Sequence, residues 1–365
     1  MKNKSLVLIF NFILLITLFS CGDSEETDYV SVEKTPVILN LENVPYTKLS
    51  DYKFFQGSIK EQKPSYGVIP YEPTSELFTD YAEKNRFIWL PEGTKATYSS
   101  DSENLNLPVG AALIKTFYYN KVQPTNSTKI IETRVMIRKA NGWIFAEYVW
   151  NDEQTEATLQ NSGSTIPISW KDSNNIIQTI DYQIPTPNQC LTCHSIDNVI
   201  ANPIGIKPQS LNSNFSYADG IKNQLQKLID FGYLENNLPT TIVSVVNYND
   251  TSKSLDLRVR SYFDINCAHC HQEGGNAGYV QQLRFAFNET LNPAKMGVCV
   301  SALTAIPGIP RGKLVNPGNS AESYIYFSMN TDLTFNRMPR LGRTIVHQEG
   351  IQLVEQWINS LPACE

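Results

Sequence analysis

Cys190-Leu191-Thr192-Cys193-His194 and Cys267-Ala268-His269-Cys270-His271 repeat one pattern: two thiols three residues apart, followed at once by an imidazole. With 7 Cys and 4 His in 365 residues, composition alone yields such a pattern roughly 0.0015 times per chain. A zinc ribbon also pairs two Cys-x-x-Cys units, but its halves lie about 15–20 residues apart, and Cys193 is far further from Cys267 than that. A redox dithiol needs no histidine after its second cysteine. Covalent haem attachment needs all of these positions: two thioethers capture the vinyl groups, and the adjacent histidine ligates iron through a ring nitrogen. The chain is therefore expected to carry two haem c groups, one on Cys190 and Cys193 with His194 on the iron, one on Cys267 and Cys270 with His271.

The two motifs stand in different local sequence. Leu255, Val259, Tyr262 and Phe263 recur at helical spacing, so a helix is expected from Ser252 to Ile265, running into Cys267. This resembles the opening of the small all-helical cytochrome c fold. Downstream, Pro317-Gly318-Asn319-Ser320 reads as a turn before a short helix over Tyr324–Met329, and Ile351, Val354, Ile358 and Leu361 share one face of a last helix. Met338, in the proline-bounded run Asn336–Gly342, is the expected sixth ligand of the second haem; Met329 is the runner-up but, on the short helix, is expected in the core, and His347 at a solvated helix start. Before the first motif, Pro185 and Pro187 argue against a regular helix and for an extended or turning segment at Cys190. A helix is expected over Asp219–Gly232. Between His194 and the second haem helix there is neither methionine nor histidine. A distal ligand to the first haem must come from elsewhere, such as Met136, Met296 or His269, or be absent.

Residues 36–182 are rich in aromatic and β-branched side chains. Ile131, Thr133, Val135 and Ile137 alternate with Glu132, Arg134, Met136 and Arg138, the pattern of a half-buried strand. Asn141-Gly142 supplies a hairpin turn into a strand over Trp143–Trp150. Leu113–Tyr119, Thr165–Trp170 and Ile176–Ile184 read as further strands. The expected fold class is α+β: an antiparallel β-rich domain (36–182), an irregular first haem segment (183–250) and an all-α cytochrome c domain (251–365). Leu77–Arg86 and Trp150–Ala157 gather charges and aromatics; each reads either as a solvated helix or strand-end loop, or as a cover for the first haem.

Lys2 and Lys4 precede an apolar run over Leu6–Phe19, too short and poorly flanked to be a stable span, which reads as a signal peptide over residues 1–20. Leu18-Phe19-Ser20 directly before Cys21 resembles the lipobox of bacterial lipoproteins, which implies lipidation of Cys21 and anchoring to a membrane without crossing it. Residues 21–35 carry Asp23, Glu25, Glu26, Asp28 and Glu33 with few apolar side chains and read as an acidic tether. The mature chain would hold 28 basic against 36 acidic side chains, a formal charge of −8, which argues against nucleic acid as a partner. In an oxidising compartment Cys299 and Cys364, the cysteines left over, can pair in a disulfide; two free thiols are the other reading.

These pieces together resemble a family of bacterial dihaem c-type cytochromes over nearly the whole mature length. The matching residues are Leu77–Arg86, Leu113–Tyr119, Glu132-Thr133-Arg134, Trp150–Leu159, Asn188-Gln189 with the first motif, Asn266 with the second, and Arg337-Met338-Pro339. The resemblance implies two haems, iron, and electron transfer with redox partner proteins at the cell envelope. The signal run and Cys21, not the resemblance, point to an exported protein held by its lipid in the bacterial cell envelope, at the outer membrane, facing either side. The favoured reading is an electron carrier and not an enzyme; the rivals are a peroxidase- or oxidase-type haem enzyme with an open first haem, and an electron-accepting subunit docked to a dehydrogenase.

Overall fold

Between Glu83 and Ile184 the strand-forming runs assemble into one antiparallel sheet. In this computed structural model, residues 33–197, 200–280, 283–303, 305 and 312–365 are described. The expected signal peptide, Cys21 and nearly all of the tether lie outside them. No helix among the described residues is long and apolar enough to cross a membrane.

Strands β1 (Ile69–Pro70), β2 (Glu83–Trp89), β3 (Ala112–Val122), β4 (Ser127–Lys139), β5 (Gly142–Trp150) and β6 (Ala157–Leu159) lie side by side in chain order. The hairpin of β7 (Ser164–Lys171) and β8 (Ile177–Ile184) joins β3 where Val122 meets Trp170. Lys139 pairs with Gly142, so the β4–β5 turn is Ala140-Asn141, one residue earlier than the Asn-Gly signal suggested. Gly142 sits at φ 134°, a conformation that suits glycine.

The alternation in β4 predicted one buried and one solvated face, yet both are covered. Ile114, Val135, Ile137 and Tyr148 pack against Leu49, Tyr52 and Phe54. On the opposite face Leu113 and Met136 meet Ile206, Leu211, Leu225 and Leu228, which come from the segment after the first motif. Glu132, expected outside, is 0 % exposed. The later chain lays itself over the polar side of the sheet, a tertiary contact that strand periodicity does not encode.

Two expectations for that later segment are corrected. Cys190 lies in a helix, α1 (Pro187–Cys193), not on an extended stretch. Proline at the first helical position gives up an N–H that would be unpaired anyway, and Thr186 and Gln189 close a capping box: Gln189 N–H donates to Thr186 Oγ1 at 3.3 Å and Thr186 N–H to Gln189 Oε1 at 2.8 Å. After α2 (Pro208–Leu211), the helix expected from Asp219 is a hairpin first, β11 (Asn214–Tyr217) with β12 (Gly220–Asn223). Helix α3 (Gln224–Asp230) begins only where the Asn223 side chain caps it, leaving Ile221 74 % exposed. Two small strands, β9 (Ser195–Ile196) and β10 (Ile200–Ala201), follow the first motif.

From Leu255 on, the named elements are helical: α4 (Leu255–Asn266), α5 (Tyr324–Met329), α6 (Gln348–Ser360) and short 3-10 turns. Ser254 caps α4. Val259 and Phe263 of α4 pack on Val354, Trp357 and Ile358 of α6 in a separate hydrophobic core. Cys299 and Cys364 are joined by a disulfide that ties the chain's tail back to this region.

The expected segments 36–182, 183–250 and 251–365 lie within one compact unit, Thr35–Glu365. The Asp80 carboxylate accepts from Thr344 N (2.6 Å), Thr344 Oγ1 (3.0 Å) and Ile345 N (3.2 Å). Asn266 Oδ1 accepts from Phe78 N at 2.9 Å, and Lys207 pairs with Asp264 at 2.8 Å. His347, expected in solvent, is 9 % exposed, stacked 4.1 Å from Phe78 with Nδ1 3.1 Å from the Tyr262 hydroxyl.

Candidate functional site

The helix caps that shape α1 and α4 deliver the two Cys-x-x-Cys-His motifs to one place. The first motif forms the last turn of α1 and the second follows the end of α4, and backbone bonds hold each turn: His194 N–H donates to Cys190 O at 2.9 Å, and His271 N–H to Cys267 O at 3.0 Å. Asp197 N–H donates to Gly274 O at 2.6 Å, linking the residues just past one motif to those just past the other. The Cys270 thiol lies 3.7 Å from Thr192 O. The sulfurs of Cys193 and Cys270 and a ring nitrogen of His269 all fall within 4.8 Å of one another.

Each motif opens on its own cavity. The first, about 470 Å³, is lined by Cys190, Cys193 and His194 together with side chains of the sheet and of the 337–344 segment. The second, about 250 Å³, is lined by Cys267, His271, Met329 and Met338 among apolar side chains such as Phe263 and Phe285. A narrower space of about 80 Å³ touches Cys193, Cys267, Cys270, His269 and Met338.

His194 Nδ1 lies 3.0 Å from the main-chain oxygen of Asn202. A carbonyl only accepts, so Nδ1 carries the proton and the lone pair of Nε2 is free. Burial pushes His194 down to about 3 and His271 down to about 4, so both rings are neutral, the form that ligates a metal. His271 Nδ1 is buried without a partner among the described residues. Burial holds the Cys190 and Cys267 thiols up at about 12. Cys193 and Cys270 sit close enough to share a proton, which lowers the first and raises the second.

Met338 and His271 thus line one cavity, while Met329 is both core and cavity wall. Of the three residues considered for the first haem, His269 lines the first cavity, whereas Met136 and Met296 are built into hydrophobic cores away from it. Leu77–Asp80 lines the first cavity; Asn151–Glu156 does not, and Gln154 there bonds the backbone of Ile130.

No protein-family model, curated protein or solved structure matches the chain.

The cationic side of the first cavity was not foreseen. Lys115, Arg134, Arg337 and Arg343 line it, with Asp80 the one carboxylate among its described residues. Arg134 is held by Glu132 at 2.6 Å and Glu147 at 3.2 Å, and the Tyr182 hydroxyl donates to Glu132 at 2.6 Å. Burial raises Glu147 to about 9 while Arg134 holds Glu132 ionised, so one guanidinium serves one carboxylate and one carboxylic acid. Strand alternation pointed Glu132 and Arg134 outward. No local pattern in the sequence marks them as buried, because their partners Glu147 and Tyr182 come from other strands.

Proposed function

We propose that the chain is a dihaem c-type cytochrome that relays electrons at a bacterial cell envelope, with thioether bonds at Cys190, Cys193, Cys267 and Cys270, His194 and His271 on the two irons, and Met338 as sixth ligand of the second. The observation that carries this reading is the meeting of the two motifs. Cys193 and Cys270, each the second attachment point of its motif, lie with His269 inside 4.8 Å. Groups bonded to these two sulfurs would be neighbours, as a relay requires.

The residues fit the cofactor. Each motif combines two thiols, a neutral buried imidazole and an adjoining cavity, and His271 Nδ1 is an orphaned polar atom in such a wall. Haem supplies one-electron transfer, which needs no acid, base or nucleophile from the protein. The chain's part is to hold and tune. Asn202 O orients His194 and raises its basicity as a ligand. The apolar walls around His271 and Met338 would leave a haem there poorly solvated, which would favour the less charged, reduced iron. In the same reading residues 1–20 direct export, the lipid on Cys21 holds the protein at the membrane, and the partners are redox proteins.

One observation favours an enzyme instead: among the described residues no methionine lines the larger, first cavity. Carbon monoxide separates the two readings. With both irons firmly six-coordinate, the reduced protein gives no carbon monoxide difference spectrum; gas binding at one iron would replace the relay by small-ligand chemistry at His194.

A further inference from the structure

Arg86, Lys115 and Arg134 stand directly opposite one another across β2, β3 and β4, so three cations share one face of the sheet. Like charges in cross-strand register are destabilising unless something compensates them. Arg134 has Glu132 and Glu147. Lys115 makes no ion pair among the described residues; its ammonium lies 4.8 Å from the centre of the Phe117 ring.

Arg337 reaches the same cavity from the irregular segment before α6 and is in the same condition. Its Nε is buried with no partner among the described residues, and Nη2 makes only a 3.4 Å contact to Arg340 O. The other charged groups of the wall are occupied. Arg343 spends its donors on the carbonyls of Met338, Ser328, Met329 and Thr331, and Asp80 is filled by Thr344 and Ile345. Lys115 and Arg337 are therefore left facing a cavity in which no free carboxylate stands among the described residues. Buried charge of one sign calls for a counter-charge.

We propose that Lys115 and Arg337 form a seat for two carboxylates in the first cavity, those of the haem propionates of the group attached at Cys190 and Cys193. The proposal rests on the haem reading above. Burial beside Arg86, Lys84 and Arg134 pushes the Lys115 amine well below its ordinary value, and a carboxylate against it would restore the ammonium. The seat would fix how the macrocycle lies against the sheet, and its positive charge would oppose oxidation of the iron.

The test is spectroelectrochemistry on the full chain with Lys115→Met, Arg337→Met and the charge-keeping Lys115→Arg and Arg337→Lys. Protein mass is read first; absence of covalent haem at Cys190 and Cys193 in the unaltered protein would overturn the haem reading and the seat together. With two haems attached, each Met variant should shift one of the two midpoint potentials downward and leave the other in place, and the charge-keeping variants should return it. Arg337 lies outside the sheet, so its variants leave strand packing intact. Unchanged potentials in fully loaded Arg337→Met would refute the seat. So would a saturable response of the unaltered protein to added inorganic phosphate that Lys115→Met abolishes, because the cations would then be open to free anions and not occupied by propionates.

Discussion

His194 Nδ1 lies 3.0 Å from the backbone oxygen of Asn202, eight residues further along the chain, and this one contact fixes both the tautomer and the direction of the ring. If the ring is the proximal ligand, His194→Gly should leave one haem with its ordinary low-spin spectrum and turn the other high-spin. Added imidazole should restore it. A spectrum unaltered by the substitution would remove His194 from the iron.

Met338 shares a cavity with His271, and its N–H is fixed by Ser328 O at 2.7 Å. Thioether ligation raises a haem potential. Met338→Ala should lower one potential by on the order of 0.1–0.3 V and abolish the weak sulfur-to-iron band at the red end of the spectrum. Retention of that band would transfer the role to Met329.

Arg134 sits between two buried carboxyl groups, so Arg134→Ala strands Glu132 with no cation. Removing one partner of a buried pair costs about 3–5 kcal/mol. Urea unfolding should show a loss of that size, and Arg134→Ala combined with Glu132→Gln should recover part of it. A loss below about 1 kcal/mol, the range of a surface pair, would mean that the network is solvated.

His347, buried against Phe78 and Tyr262, is pushed by burial from 6.5 down to about 4. Between these values the unfolded chain binds a proton that the folded chain refuses, so stability rises with pH there. The contribution is complete above pH 6.5 and is lost as pH falls toward 4, by up to about 3 kcal/mol. His194 and His271 would not titrate while on iron. In His347→Gln the slope of unfolding free energy against pH should therefore flatten over this window; an unchanged slope would contradict the buried, neutral ring.

The disulfide between Cys299 and Cys364 closes a loop with a sequence separation of 65. Loop-closure entropy of that size is worth about 4 kcal/mol in the chain-entropy picture. Cys364→Ser should lower the melting temperature of the protein, measured by calorimetry, while leaving the spectra of both haems unchanged.

The sheet was legible because the strands of 113–184 alternate and because Asn141-Gly142 marks their tightest turn to within one residue. Tyr324–Met329 and the two long helices were legible from apolar spacing. The helix at Cys190 was not, although Thr186, Pro187 and Gln189 spell a helix start; counting prolines as breakers hid the one position where a proline belongs. Ile221 fitted a helical face but lies in a hairpin, and the helix starts only after it, capped by Asn223. The motifs themselves stand out in the sequence. Their contact through Cys193 and Cys270, the covering of Glu132 and the convergence of Lys115 and Arg337 do not, because each joins segments far apart in the chain.

The most direct test of the account is the intact mass of the denatured protein, produced with a cytochrome c assembly system. It should exceed the polypeptide mass by two haems, and by one haem when Cys190 and Cys193 are both replaced by alanine. A chain that carries no added haem mass, and instead binds a metal ion through the thiols of Cys193 and Cys270, would contradict it.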